Sequence, residues 1–128
     1  MQTASPGQLV LMLYEGAIRF LEQALQGFAK EDLAESNEAI HNNLLRAQQI
    51  IHELNVSLNM KEGGEFADCM RSLYQYMDRR LMEANLNKSK VGIEEVIRRL
   101  GTLRDAWSAM LQGKSTDEAA QQPQLVAA

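Results

Sequence analysis

The chain has 128 residues, enough for one domain with a sizeable core that needs neither disulfide nor metal staples. Its net charge is −4: residues 1–60 hold seven Asp/Glu against three Lys/Arg, while residues 61–128 hold ten of each. No concentrated basic face results, which excludes general phosphate-backbone binding, so no nucleic-acid partner is expected; the pairs Arg79-Arg80 and Arg98-Arg99 read as solvated faces or partner contacts.

The single Cys69 cannot pair within the chain, and without a secretory signal it reads as a reduced thiol, half-buried on a helix. The apolar run from Leu9 to Tyr14 has no basic flank before it and is far too short to span a bilayer. A soluble, cytoplasmic protein without membrane insertion is expected.

In chain order, Ser5-Pro6-Gly7-Gln8 has the form of a helix start. Ser5 can cap the first free amides, Pro6 fits the first turn, and Gln8 completes a capping box. The helix that follows, to about Phe28, is unusually apolar. At 100° per residue Gly16, Leu9, Phe20, Leu13, Ala24, Ala17, Val10, Phe28, Leu21, Tyr14, Leu25, Ile18 and Leu11 sweep roughly 220°. A surface helix needs a stripe only somewhat over ~100° wide. Either neighbours wall this helix in on three sides, or an edge, Leu11/Ile18/Leu25 or Leu9/Phe20, is offered to something outside the chain.

Lys30-Glu31-Asp32 is a short polar link, with Asp32 placed to cap a second helix. Its seam, Ile40, Leu44, Ala47, Ile51, Leu54 and Leu58, alternates steps of four and three as a packed left-handed bundle requires. Gly63-Gly64 stops that helix. Phe66, Met70, Leu73, Met77, Leu81 and Ala84 then repeat the spacing. Asn85 to Ser89 is polar, Ser89 is a candidate cap, and Ile93, Val96, Leu100, Leu103, Trp107 and Met110 form the fourth seam. Both prolines, Pro6 and Pro123, lie outside the helical interiors, and short links favour antiparallel neighbours. The expected fold is therefore all-α, an antiparallel up-down-up-down four-helix bundle over residues 1–112. Its helices fall at about 6–28, 33–58, 65–87 and 90–112, and residues 113–128 form a mobile C-terminal tail.

Chemistry finds little purchase on this pattern. Glu38-Ala39-Ile40-His41 has the Glu-x-x-His spacing of a di-iron bundle, but such a site needs a second motif on another helix and two more glutamates facing inward. The nearest echo, Gln49-Ile50-Ile51-His52, lies on the same helix with an amide where a carboxylate is needed, and both histidines project away from the seam. Neither histidine has a Ser or Cys partner that sequence places beside it, and Gly63-Gly64 lacks a following Lys-Ser/Thr. Neither an enzyme nor a bound metal or cofactor is expected.

What remains are apolar residues off the seams. Leu45 and Val56 lie opposite the core on the second helix, among Asn37, His41, Gln48 and His52. Amides and imidazoles are cheap to desolvate compared with full charges. Met82 and Leu86 fall outside the arc of the third helix, which Tyr74 and Tyr76 flank on opposite sides. Together with the wide first helix they suggest grooves for an amphipathic helix of a partner.

Several segments, in order and spacing, are shared with a known family. They are Thr3-Ala4-Ser5-Pro6, Leu9 to Ala17 (LVLMLYEGA), Ala47-Gln48-Gln49-Ile50-Ile51, Glu62-Gly63-Gly64-Glu65, Leu73-Tyr74-Gln75-Tyr76-Met77, Ala84-Asn85, and Ile93 to Trp107 ending in Leu103-Arg104-Asp105-Ala106-Trp107. The set, from Thr3 to about Leu111, resembles the flagellar export chaperone FliS family. That resemblance implies a cytosolic four-helix chaperone that binds the disordered C-terminal segment of flagellin, blocks premature polymerisation and supports delivery to the flagellar type III export apparatus. It further implies the export gate component FlhA and, in some bacteria, the anti-sigma factor FlgM as partners. On this view a flagellin helix inserts along Leu11, Ile18, Leu45 and Val56, with Gln48, His52 and Tyr74 making polar contacts. Family members usually carry a tyrosine-containing lead that can cover a hydrophobic groove ahead of the segment matching Thr3 to Pro6. This chain begins at Met1-Gln2-Thr3, the lead being either absent by nature or trimmed; a missing lid predicts a stickier protein that self-associates through the bared groove, with Leu125 and Val126 of the tail as a substitute lid. The alternative of another class is a structural bundle with no client, its apolar edges making a homo-oligomer contact.

Overall fold

The computed structural model describes residues 4–59 and 64–113. The expectations for Met1 to Thr3, for Gly63 and for the tail, including Leu125 and Val126, lie outside them. Four helices follow one another, α1 (Pro6–Gly27), α2 (Leu33–Asn59), α3 (Glu65–Asn87) and α4 (Lys90–Gly113), and no strand occurs among the described residues.

Local chemistry sets the helix ends. Ser5 is extended and accepts from the Gln8 backbone N–H at 3.2 Å, while the Ser5 N–H donates to Gln8 Oε1 at 2.9 Å. Two of the free amides that open any helix are thereby satisfied. Asp32 Oδ2 accepts from the Glu35 N–H at 2.9 Å and caps α2. Gly64 opens α3 at φ 105°, a left-handed conformation that suits a residue without Cβ. Lys88 closes α3 at φ 48°, unusual for a residue other than glycine, and its Nζ donates to Asn85 O and Oδ1 at 2.7 and 2.6 Å. Ser89 accepts from the Val91 N–H only at 3.4 Å, so its expected cap is long.

The helices form a ring in which α1 packs on α2 and α4, and α3 packs on the same two. Close contacts fix the register. A Cβ on Gly27 would lie 3.1 Å from the Ala39 Cβ, and one on Gly16 would lie 3.4 Å from Ile50. His41 bonds Asn85, Gln48 bonds Asp78, Gly92 lies against Arg80, and Trp107 donates to Gly7 O at 2.8 Å. In the α1–α2 and α2–α3 pairs residue numbers rise along one helix as they fall along the other, the reversal that short links impose.

The core is built from Ala17, Leu21 and Ala24 of α1, Ile40, Leu44, Ala47, Ile51 and Leu54 of α2, Met70, Met77, Leu81 and Ala84 of α3, and Ile93, Val96 and Leu100 of α4. On α3 the buried stripe differs from the expected one at two positions. Ala67 and Tyr74 are inside, whereas Phe66 is 38% exposed and Leu73 half-buried. Positions 67, 70, 74, 77, 81 and 84 alternate threes and fours without a break, and 66 and 73 each sit one residue aside from that line. Cys69 is exposed, not half-buried, because it lies about 200° round the helix from the buried Ala67 and about 100° from Met70.

A polar clasp joins α3 to α4. Glu95 accepts from Tyr76 Oη at 2.7 Å, Arg80 Nε at 2.8 Å and Arg99 Nε at 2.9 Å. The Tyr76 hydrogen bond first, then those of the two arginines, lower the Glu95 carboxyl from 4.5 to about 2. A carboxylate depressed in the folded state adds stability above its unfolded value and loses it as the pH falls towards its folded one. The gap in thermal midpoint between the protein and Glu95→Gln is therefore expected to be constant at neutral pH, to narrow below 4.5 and to close near 2. A gap that held unchanged across that window would contradict the clasp.

Candidate functional site

The outer face of α2 carries the apolar residues that packing does not absorb. Leu45 is 42% and Val56 39% exposed, His52 is exposed and Gln48 half-buried, all on the side of α2 away from its buried seam. The flank nearest α3 is polar but soft: His41 Nδ1 and Asn85 Nδ2 lie 2.9 Å apart, and Gln48 Nε2 donates to Asp78 Oδ1 at 3.0 Å. Between them the helix surface dips into a shallow depression of about 510 Å³ lined by Leu45, Gln48, Gln49, Ile50, His52 and Glu53.

Two further hollows open on the bundle, the first of which shares His52 with this face. Between α2 and α3 a cleft of about 290 Å³ is lined by Ile51, His52, Asn55, Tyr74, Gln75, Asp78 and Arg79. An apolar hollow of about 210 Å³ lies among Val10, Tyr14, Leu54, Leu58, Phe66, Met70, Tyr74 and Trp107. Tyr74 belongs to both walls. Its hydroxyl lies 2.6 Å from that of Tyr14, so a buried bond crosses the ring between two helices whose backbones stay apart. Burial raises both phenols above their ordinary value and keeps them protonated.

The structure thus brings Leu45, Gln48, His52 and Val56 together on α2, sets Leu11 and Ile18 apart on α1, and leaves Tyr74 meeting the group only at the cleft it shares with His52. Ile18 is 7% exposed and Tyr74 3%; both belong to the core, correcting the expectation that their side chains are open to a partner. Ile18 sits where α1 meets its neighbours, and the Tyr74 ring is held inward by Tyr14. Leu11 is half-buried on α1. The wide apolar arc of α1 is mostly walled in, and part of its edge is roofed by cations. The Arg46 guanidinium lies 5.7 Å from the Phe20 ring centre and the Lys90 ammonium 5.6 Å from that of Phe28. Leu9 and Met12 remain exposed. The cleft residues Asn55, Gln75, Asp78 and Arg79 were not among the sequence candidates, although Asn55 follows Gln48 by seven residues and so shares its helical flank.

Among the described residues no group of three or more His, Cys, Asp or Glu side chains is placed to hold a metal ion, and no helix is long and apolar enough to cross a membrane. A helical bundle whose open features are a shallow apolar face, a polar cleft and an apolar hollow has the surface of a protein-binding bundle. The chain belongs to the flagellar protein FliS family, whose model matches residues 1–114. It is 39% identical over 115 residues to the flagellar secretion chaperone FliS of Bacillus subtilis strain 168, covering 90% of this chain and 82% of that protein. The same-named protein of Salmonella typhimurium LT2 is 37% identical over 91% of this chain and 84% of its own length, and that of Escherichia coli K12 is 33% identical over 88% and 81%. The family is one of chaperones, not of enzymes.

Proposed function

We propose that this protein is a cytosolic export chaperone that binds the disordered C-terminal segment of flagellin, prevents its premature polymerisation and supports its delivery to the flagellar type III export apparatus. The observation that carries this reading is the α2 face: Leu45 and Val56 stand exposed among Gln48, Gln49 and His52, groups that an amphipathic segment can desolvate at less cost than full charges, with Glu53 the one carboxylate lining the depression. The names of the relatives support the export role. Delivery at FlhA and contact with FlgM belong to the same proposal.

Ordering a disordered client costs about 2–5 kcal/mol of the gross interaction energy, so a large apolar interface is required. Titration calorimetry with a flagellin C-terminal fragment, read beside light scattering, is expected to give saturable one-to-one binding with a strongly negative heat-capacity change. No binding at high micromolar concentration would overturn the reading. A homo-oligomer that persists unchanged when client is added would favour the structural bundle in its place.

A further inference from the structure

We propose that the cleft between α2 and α3 is a recognition pocket for a carboxamide side chain, asparagine or glutamine, of the bound client, with Asn55 supplying the acceptor. The inference rests on the client binding proposed above. His52 and Asn55 from α2 and Tyr74, Gln75, Asp78 and Arg79 from α3 line the cleft, whose volume is about 290 Å³. Asn55 Oδ1 is shut away from solvent and has no donor among the described residues. A carbonyl oxygen in that state carries its full desolvation cost, and folded proteins retain few such atoms. Asn55 lines the cleft, and the broad terminal torsion of asparagine lets its amide reorient to meet a donor that enters. A donor entering there recovers a cost the free protein already bears. A donor meeting a solvated acceptor would have water to displace first.

The surrounding chemistry selects the group. Asp78 and Arg79 place one charge of each sign at the cleft, so it favours neither a cation nor an anion. Asp78 is oriented by Gln48, whose Nε2 donates to Oδ1 at 3.0 Å. The walls then present acceptors in Asn55 and Asp78 and donors in Gln75 and Arg79. A primary carboxamide, with two donors and one acceptor oxygen, can answer both kinds at once. An apolar side chain would leave Asn55 Oδ1 unpaired, and a guanidinium, which has donors only, would offer no acceptor to Gln75 or Arg79.

The test titrates a flagellin C-terminal segment into the full chain and into Asn55→Leu and Asn55→Ala, with urea unfolding of each. Asn55→Leu is expected to unfold at a slightly higher urea midpoint, having lost the orphan carbonyl, and to bind about tenfold more weakly. Asn55→Ala is expected to bind as weakly, which keeps the test intact if leucine is too large to fold. Each Asn and Gln of the segment is then replaced by Ala in turn. One position is expected to cost affinity against the parent protein and nothing against Asn55→Leu. Equal affinity of parent and Asn55→Leu would overturn the pocket and leave the chaperone reading standing, whereas a parent that fails to bind would overturn both. Weaker binding by Asn55→Leu without any coupled client position would overturn the carboxamide assignment.

Discussion

Ile18→Asp is expected to unfold the protein, whereas Leu45→Asp is expected to leave it folded and to weaken flagellin-segment binding at least tenfold. The two leucine-sized side chains lie on successive helices, and their surroundings decide the difference. Ile18 is part of the buried cluster with Tyr14, Leu21 and the α2 seam. Replacing it forfeits about 1.5–3 kcal/mol of burial and places a carboxylate inside the apolar cluster. An uncompensated buried charge costs several kcal/mol more, and the whole stability of such a domain is only about 5–15 kcal/mol. Circular dichroism at ambient temperature should show lost helix. Leu45 is open enough that a polar replacement should shift stability by no more than about 0.5 kcal/mol. In the complex, however, its carboxylate would be buried against an apolar segment. Titration calorimetry on the folded variant reads the loss; unchanged affinity would remove the α2 face from the site.

The second large effect concerns the hydroxyl pair that crosses the ring. Removing either hydroxyl alone, as Tyr14→Phe or Tyr74→Phe, leaves the other buried without its partner and is expected to cost about 1–3 kcal/mol. Removing both should cost less than the sum of the two single changes, because the double variant buries no orphan hydroxyl. Urea denaturation of the four proteins gives the coupling directly. Additive costs would mean that the two hydroxyls do not depend on one another. The pair matters because α1 and α3 touch nowhere else along their backbones. To the apolar side chains that meet across this diagonal the pair adds a polar contact whose geometry tolerates little slippage.

Much of the fold was legible in the residue pattern. Caps at Ser5 and Asp32, and seams spaced by threes and fours, locate the helix ends to within one residue because they report local physics: free amides at a helix start, and the period of the helix itself. The site was legible only in part. Leu45 and Val56 stood out because they oppose their own helix's seam, and burial agrees. Ile18 and Tyr74 were misread because the angle of a residue on its helix says nothing of where the neighbouring helices lie. Tyr74's inward pose depends on a hydroxyl 60 positions away. Arg46 over Phe20 and Lys90 over Phe28 are equally non-local, and they make the edge of α1 less open than its composition suggests. On α3 the competition between lines 66/73 and 67/74 was settled by which one continues unbroken to Ala84.

Trp107 is the chain's single tryptophan, and its indole N–H is tied to Gly7 O beside the apolar hollow that Tyr14 and Phe66 share. Its fluorescence is therefore a spectroscopic probe with a fixed address. Fraying of the first turn of α1, or a side chain entering the hollow, changes the polarity around the indole and moves its emission. Events at the other end of the bundle, where α2 begins and α3 ends, leave that signal dark. One chromophore thus divides the bundle into an optically reporting end and a silent one.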